Sequence, residues 1–181
     1  TGHDVSVIGA SRTCDRFEVD RALSNRHGFK FESVDGAADT EARLRRARNF
    51  GVRLSGRIAK ELYHKIGVTS KRLLSPVCGQ MLRRVVQLKP DFVIAHLEPS
   101  LWVSKRLLSR GFRVGVDMED WYSEDLPPED RKHRPVKLLR ELEREMLGSC
   151  HYSSCPSHAM SLALAEEFGV RKPVVTYNAF S

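Results

Sequence analysis

Two short stretches near the start of the chain alternate apolar and polar positions. Asp4 to Ile8 reads DVSVI and Phe29 to Val34 reads FKFESV, and a period of two predicts a strand in each. Between them, Gly9 to Asp15 reads as a loop and Arg16 to His27 as a short helix stopped by Gly28. After the turn Asp35-Gly36, Asp39 is placed to cap a long basic helical region. There Leu44, Ala47, Val52, Leu54, Ile58, Leu62 and Ile66 recur at helical spacing. Gly51, Gly56 and Gly67 interrupt that stripe, so two helices or a mobile arm are expected. Ser75-Pro76 has the form of a helix start. That helix would turn Val77, Met81, Val85 and Leu88 inward and end at Pro90.

Beyond residue 90 the pattern becomes regular. Phe92 to Ala95 (FVIA) is a continuous apolar run, which predicts a parallel strand buried on both faces. Ser100 opens a helix through Arg110, closed by Gly111, and Arg113 to Val116 is the next strand. Pro127 to Pro135 reads as a loop. Val136 to Leu147 is an amphipathic helix with Leu139, Leu142 and Met146 on one face. Tyr152 to Cys155 predicts a strand, Ser157 to Phe168 a helix stopped by Gly169, and Val174 to Tyr177 a last strand. Strands and helices thus alternate with short connections. The expected class is α/β, a Rossmann-like parallel sheet with helices on both faces, over residues 1–177 as one domain.

Charge changes the picture in one respect. The 181 residues carry a net charge of +7, yet Arg43 to Arg84 holds twelve basic residues against one acid, Glu61. The remainder of the chain is therefore net acidic. A basic sector that includes Arg45, Arg46, Arg48, Arg53, Arg57 and Lys60 suits an anionic membrane surface or a nucleic acid, and also a plain solvated helix face. Phe50 and Tyr63 are the only aromatics interleaved with it, which disfavours a stacking platform for single strands. No apolar run approaches the roughly 20 residues that cross a bilayer. The opening Thr1-Gly2-His3-Asp4 has no leader-like pattern, and the four cysteines form no framework, so a reduced cytoplasmic setting is expected.

The candidate chemistry gathers at Arg113 to Asp125, RVGVDMEDWYSED. A short apolar strand there runs into Asp117, Glu119 and Asp120, then Trp121 and Tyr122. Ligands of open parallel sheets bind beyond the carboxyl ends of the strands. His96 and Glu98 follow the neighbouring strand and are expected beside the same crevice. The plain alternative is a solvated acidic loop with an aromatic tucked beneath it. Cys150, His151, Cys155 and His158 offer four metal-binding side chains, but strand neighbours point to opposite faces and the spacing is not that of structural zinc sites. No metal site is expected. No Gly-x-Gly-x-x-Gly follows a predicted strand, which disfavours a dinucleotide-dependent dehydrogenase.

Several segments together resemble the N-terminal, acceptor-side domain of GT-B glycosyltransferases of the large retaining group. They are GHDVSVIGA, KPDFVIAHLEP, RVGVDMEDWYSED, LLRELEREMLGSCHYSSCPS and EEFGVRKPVVTYNAFS. The resemblance is dense only after residue 88, and it departs where Glu119 stands in place of the family's usual histidine. It implies transfer of a sugar from a nucleotide-sugar donor to a glycan or lipid-linked acceptor, with no other cofactor, in cell-surface polysaccharide or glycolipid synthesis. It also implies that the segment lacks the family's first strand and its C-terminal domain, and that residues 178–181 begin a linker. Glu119 and Asp120 would be catalytic. His96, Glu98, Trp121 and Tyr122 would line the acceptor site, and Ser157 and Asn178 would face the donor side. Carboxylates suit this chemistry because a glycosyl-transfer transition state has oxocarbenium character. The competing reading is a non-catalytic Rossmann-like module for an anionic ligand, membrane surface or nucleic acid. An acidic strand end would repel an anion unless a metal intervened.

Overall fold

The computed structural model describes residues 2–11, 13–35, 42–131 and 134–177, with side chains at all of these except positions 14, 42–49, 52 and 53. The first unit is β1 (Ser6–Gly9), α1 (Cys14–His27) and β2 (Lys30–Ser33). Thr13 caps α1 by accepting from the Arg16 N–H, and Gly28 closes it at φ 72°, a left-handed position that glycine adopts without strain. β1 and β2 pair in parallel, with Val7 opposite Phe31.

Three helices follow. α2 (Ala42–Ile66) runs unbroken for 25 residues, one helix where two were an alternative. Gly51 and Gly56 weaken its propensity without ending it; the chain leaves the helix at Gly67, φ 69°. Asp39 lies outside the described residues. The start expected at Ser75-Pro76 is also revised. Ser75 ends a short α3 (Lys71–Leu74), and α4 (Cys78–Leu88) begins two residues after Pro76. Val77, Leu82 and Val85 are buried as an inward stripe, whereas Leu88 is exposed.

The second unit is β3 (Val93–His96), α5 (Leu97–Leu108), β4 (Val114–Asp117), α6 (Pro128–Arg131), α7 (Val136–Ser149), β5 (Tyr152–Cys155), α8 (His158–Phe168) and β6 (Val174–Val175). Four parallel strands lie in the order β3-β4-β5-β6. Consecutive order with a helix in each connection is the βαβ arrangement that the strand–helix alternation requires. α4 packs on α5, α5 on α7, and α7 on α8 as one layer. Leu101, Leu107, Leu139, Met146 and Leu164 from that layer close over Val114 and Val116 of β4, all at or below 1% exposure. On the other face Ile94 is 51% exposed, so β3 is not buried on both sides, and helices do not close both faces at that point. At Gly115, in register with Ile94, a Cβ would stand 3.1 Å from the Phe92 ring, so a side chain there requires that ring to give by a few tenths of an ångström.

The parallel α/β class is therefore as expected, but the strands form two sheets, β1-β2 and β3-β4-β5-β6. α4 joins them, touching β1 and sending Arg84 to Glu32 of β2 at 2.7 Å. Among the described residues β1 pairs only with β2 and β3 only with β4, which leaves one edge of each unpaired. Val5 and Val7 at β1 are 50% and 41% exposed. Unpaired apolar edges recruit further strands. The chain is expected to self-associate as concentration rises in sedimentation velocity runs; a single monomeric species across the range would refute this.

Candidate functional site

The register of β3 and β4 places His96 directly opposite Asp117 at the carboxyl ends of the two strands. His96 Nδ1 lies 3.2 Å from Asp117 Oδ2 and 3.2 Å from Glu119 Oε1. Two sequence-predicted site residues, His96 and Glu119, thus converge with Asp117, and His96 comes from a strand 21 positions earlier. Asp117 is held from its other oxygen, with Ser154 Oγ of β5 donating to Oδ1 at 2.7 Å. Asp120 is exposed beside them. Among the described residues no Lys or Arg pairs with Asp117, Glu119 or Asp120. Two carboxylates at about 4 Å repel by between about 1 kcal/mol in water and about 4 kcal/mol at an effective dielectric of 20. Among the described residues His96, 52% exposed in its side chain, is the one partner that both carboxylates share.

The chain geometry around His96 is tight. α5 starts at the next residue, and Leu97 takes φ 66°, a left-handed conformation that costs a non-glycine residue roughly 1–2 kcal/mol. Ser100 Oγ donates to the His96 and Leu97 carbonyls and so caps the bend. A strained residue beside a cluster of ionisable groups is typical of sites where position outweighs stability.

Farther along the loop the acids are neutralised instead. Glu124 is held by Arg131 and Arg140, and Asp125 by Arg134 at 2.7 Å. Arg134 also ion-pairs with Glu98. Glu98 is therefore part of this clamp rather than a free wall of the crevice. The Arg134 carbonyl accepts from Tyr63 Oη at 3.0 Å, which ties α2 to the same loop.

The aromatics differ from expectation. Tyr122 is 3% exposed and cannot stack on a sugar ring. Trp121 meets Phe168 edge-on at 6.1 Å and belongs to the rim of the core. Both keep an orphan donor, Trp121 Nε1 and Tyr122 Oη. Burial raises the Tyr122 pKa, and the nearby charges of Glu119, Asp120 and Asp117 raise it further, so the phenol keeps its proton. Ser157 lies just past β5, where its hydroxyl accepts from the Met160 N–H as the cap of α8. Asn178 lies outside the described residues. Arg57 and Lys60 are exposed on α2, while the side chains of Arg45, Arg46, Arg48 and Arg53 are not described. The cysteine–histidine set stays apart: the His151 ring accepts from the Val114 N–H, the Cys155 thiol bonds the Ser157 carbonyl, and His158 packs on Tyr177.

Sequence reasoning missed the residue that holds the loop. Glu143 is fully buried and accepts from Ser123 N–H at 3.0 Å and from Ser123 Oγ at 2.5 Å. Its signal was readable, because Glu143 interrupts the apolar face of Leu139, Leu142 and Met146. Burial raises its pKa to about 7, against the downward pull of the Ser123 hydrogen bonds and Arg140. A pKa raised above the ordinary 4.5 means the folded chain binds this proton more tightly than the unfolded one. The stability it lends is complete below pH 4.5 and is lost as pH rises through 7.

The chain is therefore expected to lose thermal stability relative to its Glu143→Gln variant between pH 5 and pH 8. At roughly 1.4 kcal/mol per unit and about 2–4 °C per kcal/mol for this size, the gap should be several degrees. Parallel melting curves for the two proteins would remove Glu143 as the titrating group. No protein-family model, curated protein or solved structure matches this chain.

Proposed function

We propose that this chain is the acceptor-side half of a glycosyltransferase with the two-domain GT-B architecture. The observation that carries the reading is the convergence of His96, Asp117 and Glu119 at the carboxyl ends of adjacent parallel strands. That is where open α/β sheets bind ligands. The order of motifs after residue 88 supports it by resemblance. Glu119 and Asp120 accept hydrogen bonds from acceptor hydroxyls, and a carboxylate there serves as base for the attacking one. His96, 3.2 Å from Glu119, orients that carboxylate. The nucleotide-sugar donor belongs to the other half of the cleft.

The test is binding followed by nuclear magnetic resonance, with neutral oligosaccharides and nucleotide sugars as separate probes. Oligosaccharide should shift the signals of His96, Glu119 and Asp120, and Glu119→Gln should weaken it about tenfold. A nucleotide sugar alone should leave those signals in place. Preferential binding of an anionic ligand at this site would favour the non-catalytic module instead.

α2 favours a second role for the same protein, contact with an anionic membrane surface. Phe50, Leu54, Ile58, Leu62 and Ile66 recur every four residues and are 42% to 69% exposed. Arg57, Lys60 and Lys65 are exposed on the same helix, which carries one acid, Glu61. An apolar stripe beside cations suits a helix lying in the headgroup plane. No helix among the described residues is long and apolar enough to cross a membrane. The chain is expected to co-sediment with vesicles containing phosphatidylserine and not with pure phosphatidylcholine. Ile58→Asp with Leu62→Asp should lower the bound fraction at least fivefold; unchanged binding would sink this role.

A further inference from the structure

We propose that His96 Nδ1, Asp117 Oδ2 and Glu119 Oε1 form a binding site for a divalent first-row metal ion of the manganese or zinc kind. The three atoms come from two strand ends and lie within 4.8 Å of one another. Their spacing suits coordination. An ion about 2.1 Å from each ligand holds neighbouring ligands roughly 3.0 to 3.4 Å apart, and both contacts to His96 Nδ1 are 3.2 Å. One nitrogen and two carboxylate oxygens are a donor set for manganese, iron or zinc, whereas magnesium and calcium favour oxygen alone.

A hydrogen-bonded triad explains the arrangement less well. Nδ1 carries at most one proton, and two carboxylate oxygens stand at the same distance from it. No arginine or lysine among the described residues pairs with either carboxylate, although three Arg side chains, Arg131, Arg134 and Arg140, serve the acids a few residues along the loop and on α5 and α8. None of the three pairs with the strand-end trio.

A second and separate observation comes from beneath the cluster. Tyr122 is 3% exposed, its Oη lies near the Leu97 backbone N–H but donates its own proton to no acceptor, and the charges of Glu119, Asp120 and Asp117 act on it. A buried protonated phenol needs an acceptor. Ligating carboxylates normally receive a hydrogen bond on the oxygen that does not face the metal. Ser154 already provides this for Asp117, and the Tyr122 hydroxyl, on which the charges of Glu119 and Asp117 act, has no acceptor of its own. The ion would also neutralise the charge of Asp117 and Glu119 and so remove their mutual repulsion.

The inference rests on the geometry of the three ligands and not on sugar transfer. It is tested with metal alone, so the two readings can fail separately. Manganese and zinc chlorides are titrated into the chain by calorimetry, with magnesium chloride as the comparison. One equivalent of manganese or zinc should bind with a micromolar Kd, and magnesium at least tenfold more weakly. His96→Gln, Asp117→Asn and Glu119→Gln should each weaken binding tenfold or more, with circular dichroism matching the parent. His158→Gln should not. A variant that fails to fold is replaced by a measurement on the parent itself, in which manganese should broaden the resonances of residues 96, 117 and 119 first. Absence of saturable binding below 1 mM, or broadening centred elsewhere, overturns the site.

Discussion

The parallel pairing of β3 with β4 is the constraint on which the candidate site depends. Because the strands run in the same direction in register, their last residues, His96 and Asp117, end side by side. Both chains then leave the sheet at the same edge, one into α5 and the other into the acidic loop. Every later feature follows from that edge. The abrupt turn at Leu97, the capping by Ser100 and the reach of Glu119 back to His96 all occur within a few residues of it.

The loop after β4 is divided electrostatically into two parts. Its distal acids, Glu124 and Asp125, are matched by arginines from α6, its following turn and α7. Among the described residues its proximal acids have no arginine or lysine: His96 faces Asp117 and Glu119, and Ser154 donates to Asp117. Glu143 marks the boundary, since it grips Ser123 through both backbone and hydroxyl. A fully buried carboxylate with its pKa near 7 is costly to keep charged, and its two hydrogen bonds are what the fold obtains in return: a fixed position for the segment between Glu119 and Ser123.

The two sheets give the molecule an asymmetry that matters for stability. The four-stranded sheet and its helix layer contain nearly all of the buried apolar residues. The β1-β2 unit is attached through α4 and one ion pair, and its valines remain half exposed. A pair of strands that short is weak by itself. The edge that carries the candidate site belongs to the better-packed unit.

Local patterns in the sequence were enough for most elements. The period-two stretches, the FVIA run and the amphipathic α7 all read correctly as elements because each obeys a single local period. The stops at Gly28 and Gly169 and the start at Ser157 are local as well, whereas the cap at Thr13 lies within a stretch that reads as loop. The class, parallel α/β, followed from alternation alone. So did the nomination of Glu119 and His96, since a strand end is recognisable in one dimension; Asp117 read only as the structural end of its strand. What the sequence could not determine was pairing at a distance. Whether Glu98 or Asp117 faces His96, whether Tyr122 stacks on a ligand or fills the core, and which arginine answers which acid are decided by packing between segments tens of residues apart. The continuity of α2 was hidden because glycine propensity is a weak local cost. The exposure of Ile94 was hidden because an apolar run does not say which of its faces a helix will cover. Glu143 alone was legible and overlooked: a charge within an apolar helical face needs a buried partner, and only the folded chain supplies Ser123.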